Sequence, residues 1–120
     1  MHKINVKDGV IFKEINSFLL NIMITSSAVM DLFGMSPTVT SANDGTHMPT
    51  SRHYDNMALD LRTHDLPSQE IKDRFLQEMK SRLGADYIVI FEGLGTPNEH
   101  LHCQYGTNRP GGLPGQEEGN

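Results

Sequence analysis

The segment Met57-Ala-Leu-Asp-Leu-Arg62 decides the fold reading. Side chains alternate along an extended chain. Met57, Leu59 and Leu61 therefore fall on one side, and Ala58, Asp60 and Arg62 on the other. This predicts a half-buried strand over 57–62 whose small, acidic and basic side lines a cleft. Downstream, Ile71, Phe75, Leu76, Met79 and Leu83 recur at helical spacing, which predicts a helix over 68–83. Pro67 stands at its start and Gly84 at its end, the expected asymmetry. Residues 87–91 and 101–105 read as strands, with a loop over 94–98. Upstream, Ile15, Phe18, Leu19, Ile22, Met23, Ser26, Val29, Met30 and Phe33 form one face of a helix over 13–33. Gly34 is its natural stop. Residues 37–40 read as a short strand, 41–52 as a polar loop, and 3–12 as a mixed segment with an Asp8-Gly9 turn. Helix, strand, strand, helix, strand, strand is an α+β layout. It predicts a small antiparallel sheet with flanking helices. Only the step from 57–62 to 87–91, with a helix between, suggests a parallel crossover.

The chain has 120 residues, 10 basic and 15 acidic side chains, and a formal net charge of -5. Its mean hydropathy is -0.42. These values describe a soluble globular domain, read here as one unit over 1–105 followed by a Gly/Pro-rich tail over 106–120. The acidic balance argues against a nucleic-acid or polybasic membrane binder. The one cysteine excludes an internal disulfide and a multi-cysteine zinc cluster. A bound metal must therefore use the six histidines and the carboxylates. No segment approaches the ~20 apolar residues of a membrane span. No secretory signal is evident, so synthesis in the cytoplasm and delivery by another agent are expected.

Histidine and carboxylate concentrate in Ser51-Arg-His-Tyr-Asp-Asn-Met-Ala-Leu-Asp60 and in Glu99-His-Leu-His102. A straight strand would point His53 and Asp60 to opposite faces, but a turn at Tyr54-Asp55-Asn56 folds His53 back. Glu99 and His102 would also diverge in a straight strand. They share a cleft if Glu99 stays in the preceding loop. Then His102 and Gln104 share one face, and Leu101 and Cys103 the other. Read together, His53, Asp60 and His102 are three N/O ligands, the count for a catalytic zinc with an open fourth position. Glu99 would be the general base of a metal-assisted amide hydrolysis.

Ser51-x-His53-x4-Ala58-x-Asp60, followed by Glu99-x-x-His102, resembles the zinc D-Ala-D-Ala carboxypeptidase/dipeptidase and L-alanyl-D-glutamate endopeptidase family, which shares its fold with the Hedgehog signalling domain. Thr40-Ser41, Asp44-Gly45, His47, His53-Tyr54 and Ala58-Leu-Asp-Leu-Arg62 are similar to its phage and phage-like branch. The resemblance covers about residues 12–105. It implies zinc on His53, Asp60 and His102, with Glu99 as base. It also implies a monomeric enzyme cutting stem peptides of the bacterial cell wall, in a phage setting an endolysin. The chain departs from the family pattern in two places. Asp55 replaces a glycine five residues before Asp60, and Ser41-Ala-Asn-Asp44 replaces the upstream Ser-x-Tyr-Arg. The group that stabilises the oxyanion must then be His47, Arg52 or Arg62. A non-catalytic zinc-binding interaction module of the same fold is the alternative expectation, and a metal-free interaction domain the third.

Overall fold

A computed structural model describes residues 3–43 and 57–106. The expected loop over 41–52, with His47 and Arg52, lies mostly outside them, as do His53 and nearly all of the expected tail. Five strands and two helices follow in the order β1 (Asn5–Val6), α1 (Ser17–Asp31), β2 (Thr38–Ser41), β3 (Ala58–Arg62), α2 (Gln69–Leu83), β4 (Tyr87–Glu92) and β5 (His100–Tyr105). The class is α+β, as the sequence predicts.

Both helices are set by their caps. α1 starts four residues later than its apolar pattern suggests. The Asn16 side chain accepts hydrogen bonds from the backbone N–H of Phe18 and Leu19 at 3.1 and 3.0 Å. That arrangement satisfies two of the orphan donors of the first turn. Ile15, assigned to the apolar stripe, precedes the cap and is exposed. Gly34, at φ 70°, turns the chain just beyond α1. α2 follows the expected plan. The Ser68 hydroxyl accepts from the Ile71 N–H, and Gly84 caps the other end at φ 91°. That backbone angle is one a β-carbon disfavours.

The sheet order is β1-β2-β3-β5-β4. It is mixed, which corrects the expectation of a wholly antiparallel sheet. β1 pairs parallel to β2, with α1 as the crossover between them. β1 gave no pattern to read because both of its residues are exposed. Backbone bonds hold it: Asn5 N–H donates to Pro37 O at 2.8 Å and Lys7 N–H to Val39 O at 2.9 Å. β3 and β4 are indeed parallel to each other across α2, but they are not neighbours. β5 lies between them and is antiparallel to both.

β3 and β5 occupy the middle of the sheet. Leu59, Leu61, Leu101 and Cys103 are fully buried, and join Val39 and Val89 in one core with Leu19, Ile22, Val29 and Met30 of α1 and Phe75 and Met79 of α2. Both helices therefore cover the same sheet face. Phe18 of α1 stacks on Tyr105 of β5 at 4.1 Å between ring centres. The opposite face of β3 is also shielded: Ala58 and Asp60 are buried, as are Leu59 and Leu61. The half-buried strand of the sequence reading is thus buried on both faces, and Asp60 is an acid in the interior of the fold.

Candidate metal centre

Antiparallel register builds the site. On the face away from the helices, Arg62, His100 and Glu92 form one cross-strand row. Asp60, His102 and Ile90 form the next, and Ala58, Gln104 and Ile88 the third. Directly opposed β-carbons lie about 4.5–5.5 Å apart, so side chains within a row meet. A bulge in β2 brings Ser41 opposite Asp60, and the Thr40 hydroxyl donates to Asp60 O at 3.4 Å.

His102 Nδ1 lies 3.0 Å from Asp60 Oδ1, and its Nε2 lies 2.7 Å from Gln104 Oε1. The Gln104 amide has a fixed orientation, since its Nε2 donates to Gly106 O at 2.6 Å. Both nitrogens of His102 thus face acceptors. His100 repeats the arrangement, with Nδ1 2.7 Å from Asn98 O and Nε2 2.9 Å from Glu92 Oε1. Its Nε2 is also 3.5 Å from Asp60 Oδ2. Acceptors at both nitrogens favour the doubly protonated form of each ring.

The acid–base shifts follow from these contacts. The Glu92 hydrogen bond is the main influence on His100. With the Asp60 charge and the Asn98 carbonyl, it outweighs the opposing effect of burial and lifts His100 to about 9. Burial pulls His102 down, but the Asp60 hydrogen bond and charge outweigh it, and the balance is upward. Glu92 is held below the usual carboxylate range, chiefly by its bond from His100.

Asp60, Glu92 and His100 each present a ligand atom within 4.8 Å of the other two, so the three can hold a metal ion. Asp60 is buried, His100 intermediate and Glu92 exposed. His102 adjoins them through Asp60 Oδ1, while Oδ2 is the oxygen nearer His100. Ligand atoms about 2.0–2.1 Å from a tetrahedral zinc sit ~3.3 Å apart. The 3.0 Å separation of Asp60 Oδ1 and His102 Nδ1 is close to that value. A divalent ion on Asp60, Glu92 and His100 would take the place of a His100 proton, and the donor set of imidazole and carboxylate suits zinc and its first-row neighbours.

The residues expected from the sequence divide three ways. Asp60 and His102 come together, and Arg62 shares their face. His53 and His47 lie outside the described residues. Glu99 lies just before β5, which begins at His100, one residue earlier than the sequence suggests. Its Oε2 accepts from the Thr63 hydroxyl at 2.6 Å, and its Oε1 from Lys72 Nζ at 3.0 Å and Gly95 N–H at 3.2 Å. Burial works to raise this carboxyl, but the three donors and the Lys72 charge prevail and hold it below its usual range. Glu99 thus stays in the loop before β5, as expected, with its carboxylate held by Thr63, Lys72 and Gly95.

No family model, curated protein or solved structure matches this chain.

Glu92 and His100 are the site members that sequence reasoning did not assign. Their signal was parity. Extending each strand by one residue places Glu92 with Ile88 and Ile90, and His100 with His102. Cys103 is a packed core residue, as expected. Burial first, and the Asp60 charge second, push its thiol far up, so it stays protonated. Arg62 has a different character. Its Nε is buried and has no hydrogen-bond partner among the described residues, a situation that costs about 1–3 kcal/mol or more for a charged group.

Proposed function

We propose that the protein is a zinc-dependent peptidase that hydrolyses an amide bond of peptidoglycan stem peptides, as in a phage-type cell-wall lytic enzyme. The observation that carries this reading is the direct cross-strand pairing of Asp60 with His102, flanked on the same face by His100 and Glu92. It agrees with the ligand pair implied by the sequence motif, for which His53 would supply the third donor. Among the described residues, no helix is long and apolar enough to cross a membrane.

In this reading Asp60 and His102 hold the ion, and Gln104 fixes the ring of His102 through Nε2. Such an outer contact orients a ligating imidazole. A bound zinc would polarise the scissile carbonyl and acidify a water. Glu92 is exposed, lies on the same face and contacts His100, so it is placed to accept the proton of the attacking water and return it to the leaving amine. This assigns to Glu92 the role that the motif gives to Glu99. Arg62 is the described cation on this face that suits a developing negative charge.

The ion pair of Glu99 with Lys72 favours a second reading, a zinc-binding interaction module without catalysis, since the motif carboxylate then serves the fold. Metal content separates these readings from a metal-free domain. The purified chain should carry about one zinc, and His102→Ala should lose it. Mass analysis of peptidoglycan fragments then separates enzyme from module: a released peptide or amino acid supports hydrolysis. Zinc without any product supports the module, and absence of zinc after reconstitution removes both.

A further inference from the structure

α1 and α2 are each 15 residues long and cover the same face of the sheet, yet their outer sides differ. α2 presents Glu70, Asp73, Arg74, Lys80 and Arg82 to solvent, the charged side expected of a surface helix. α1 contains no Lys, Arg or Glu, and its single acid, Asp31, is its last residue. Leu20 and Ile24 stand one turn apart on its outer side, 47% and 57% exposed, and Leu32 follows at its cap, 55% exposed. Among the described residues, the exposed large apolar side chains are these three with Val6, Ile11, Ile15 and Leu94. All but Leu94 thus belong to residues 6–32. Single apolar side chains scattered over a surface are ordinary, whereas such a concentration marks an interaction face.

Beside Ile24 the surface is concave. A largely apolar hollow of about 330 Å³ is lined by Ile4, Ile24, Ser27 and Ala28. The Ser27 hydroxyl donates to Lys3 O at 3.4 Å, so its polar atom is already engaged. Residues four apart on a helix share one ridge. One turn before Ile24 that ridge carries the exposed Leu20, and one turn after it the small, partly buried Ala28. A two-fold contact requires a patch that complements itself. An axis through Ile24 meets this requirement, because it sets Leu20 of each copy against Ala28 and the hollow of the other. It also sets Asp31 opposite Ser17, so two acidic chains meet here without opposing like charges. A lipid surface suits the face less well, since helices that lie on membranes carry Lys and Arg beside their apolar side, and α1 has neither.

We propose that α1 is the contact of a two-fold homodimer, in which the Leu20–Ile24–Ala28 ridge packs antiparallel on the same ridge of a second copy and each Leu20 enters the hollow beside the other copy's Ala28. The dimer takes the place of the monomer that the family resemblance implies. The Asp60–His102 row lies on the opposite face of the sheet and stays open, so the proposal does not depend on the peptidase reading.

Sedimentation equilibrium on the full chain tests it. The wild type should weigh twice the 13.4 kDa of one chain. Ile24→Glu should weaken association by about 100-fold or more, because two carboxylates would be buried against each other, with an unchanged circular dichroism spectrum. Leu94→Glu, at an exposed apolar site away from the face, should leave the dimer intact. The axis has its own test. Ile24→Cys should oxidise to a covalent dimer, since the axis brings position 24 onto its own copy within the ~7 Å that a disulfide spans. Leu32→Cys should not, because its two copies would stand about 24 Å apart along the helices. The native Cys103 is fully buried and does not compete. The cross-link decides the matter even if Ile24→Glu fails to fold. A wild type that stays monomeric at ~100 μM, where even a micromolar contact is filled, overturns the dimer. If that monomer floats with phosphatidylcholine vesicles, the face belongs to lipid. A dimer that survives Ile24→Glu uses another surface and also overturns the proposal. A dimer lost in Ile24→Glu but not cross-linked by Ile24→Cys overturns the axis at Ile24.

Discussion

The two faces of β3 and β5 are made from alternate residues of the same two strands, yet they obey different physics. Toward the helices stand Leu59, Leu61, Leu101 and Cys103, all fully buried in one apolar cluster. Toward the other side stand Asp60, His100, His102 and Gln104, tied by hydrogen bonds that all involve an imidazole or an amide. A side chain on the first face gains stability from the water it leaves. A side chain on the second loses hydration and recovers it only through a partner. Each face also has its own carboxylate seven positions from the other's, Glu99 and Glu92. Glu99 is enclosed by Thr63, Lys72 and Gly95, whereas Glu92 is exposed and bound to His100. The lesson is that motif spacing alone does not identify the working acid, because the partners around a carboxylate decide what it can do.

The contrast can be broken most severely by exchanging stability for activity. Phe75 is fully buried against the helix-side face. Phe75→Ala should cost about 3–5 kcal/mol of stability, read as a lower denaturant midpoint, while zinc content per folded molecule stays unchanged. His102→Ala should show the opposite, with zinc lost and the fold kept. A His102→Ala chain that unfolds as readily as Phe75→Ala would mean that both faces are structural.

A sharper cut compares the two carboxylates. Under the proposed function, Glu92→Gln should lower kcat by about 10²–10⁴-fold, the usual contribution of a general base, and retain zinc. Glu99→Gln should leave kcat within a few-fold and reduce stability, because it removes a charged partner from Lys72. The reverse result, inactive Glu99→Gln and active Glu92→Gln, would restore the motif assignment and require the loop before β5 to rearrange on substrate binding.

The helices, their glycine stops and the strands of the core were legible, the elements because apolar spacing reports burial directly, whereas the Asn16 cap that starts α1 was not read. Leu59 with Leu61 and Phe75 with Met79 and Leu83 are cases in point. β1 was not legible, since Asn5 and Val6 are exposed and only backbone bonds hold them. Asp60 and His102 were found from residue type and spacing. Glu92 was missed because β4 was read as ending at Phe91, and His100 because β5 was read as starting after it. Both errors are of one residue at a strand end, where the pattern of burial fades into the loop over 94–98. The mixed sheet was hidden for a related reason: a parallel pair made by a two-residue strand leaves no alternation to count.

The smallest expected effect is a difference in pH response between the faces, read on metal-free protein in chelator. Glu99 is held below its usual range of 4.5 in the folded protein. Its contribution to stability is therefore complete above about 4.5 and is lost as pH falls through the lowered folded value. His100 is raised from 6.5 to about 9. Its contribution is complete below 6.5 and is lost as pH rises through about 9. The helix-side face should thus weaken in acid, and the histidine face in mild alkali. Thermal midpoints across the pH range should fall at both ends. Glu99→Gln should flatten part of the acid limb only, whereas His100→Gln should flatten the alkaline limb and also the share of the acid limb that Glu92 owes to its bond from His100. Zinc, which takes the unprotonated ring, should remove most of the alkaline loss in the wild type. If His100→Gln keeps the full alkaline limb, the ring is not doubly protonated in the folded chain. The Asp60–Glu92–His100 row would then be held by something other than its protons.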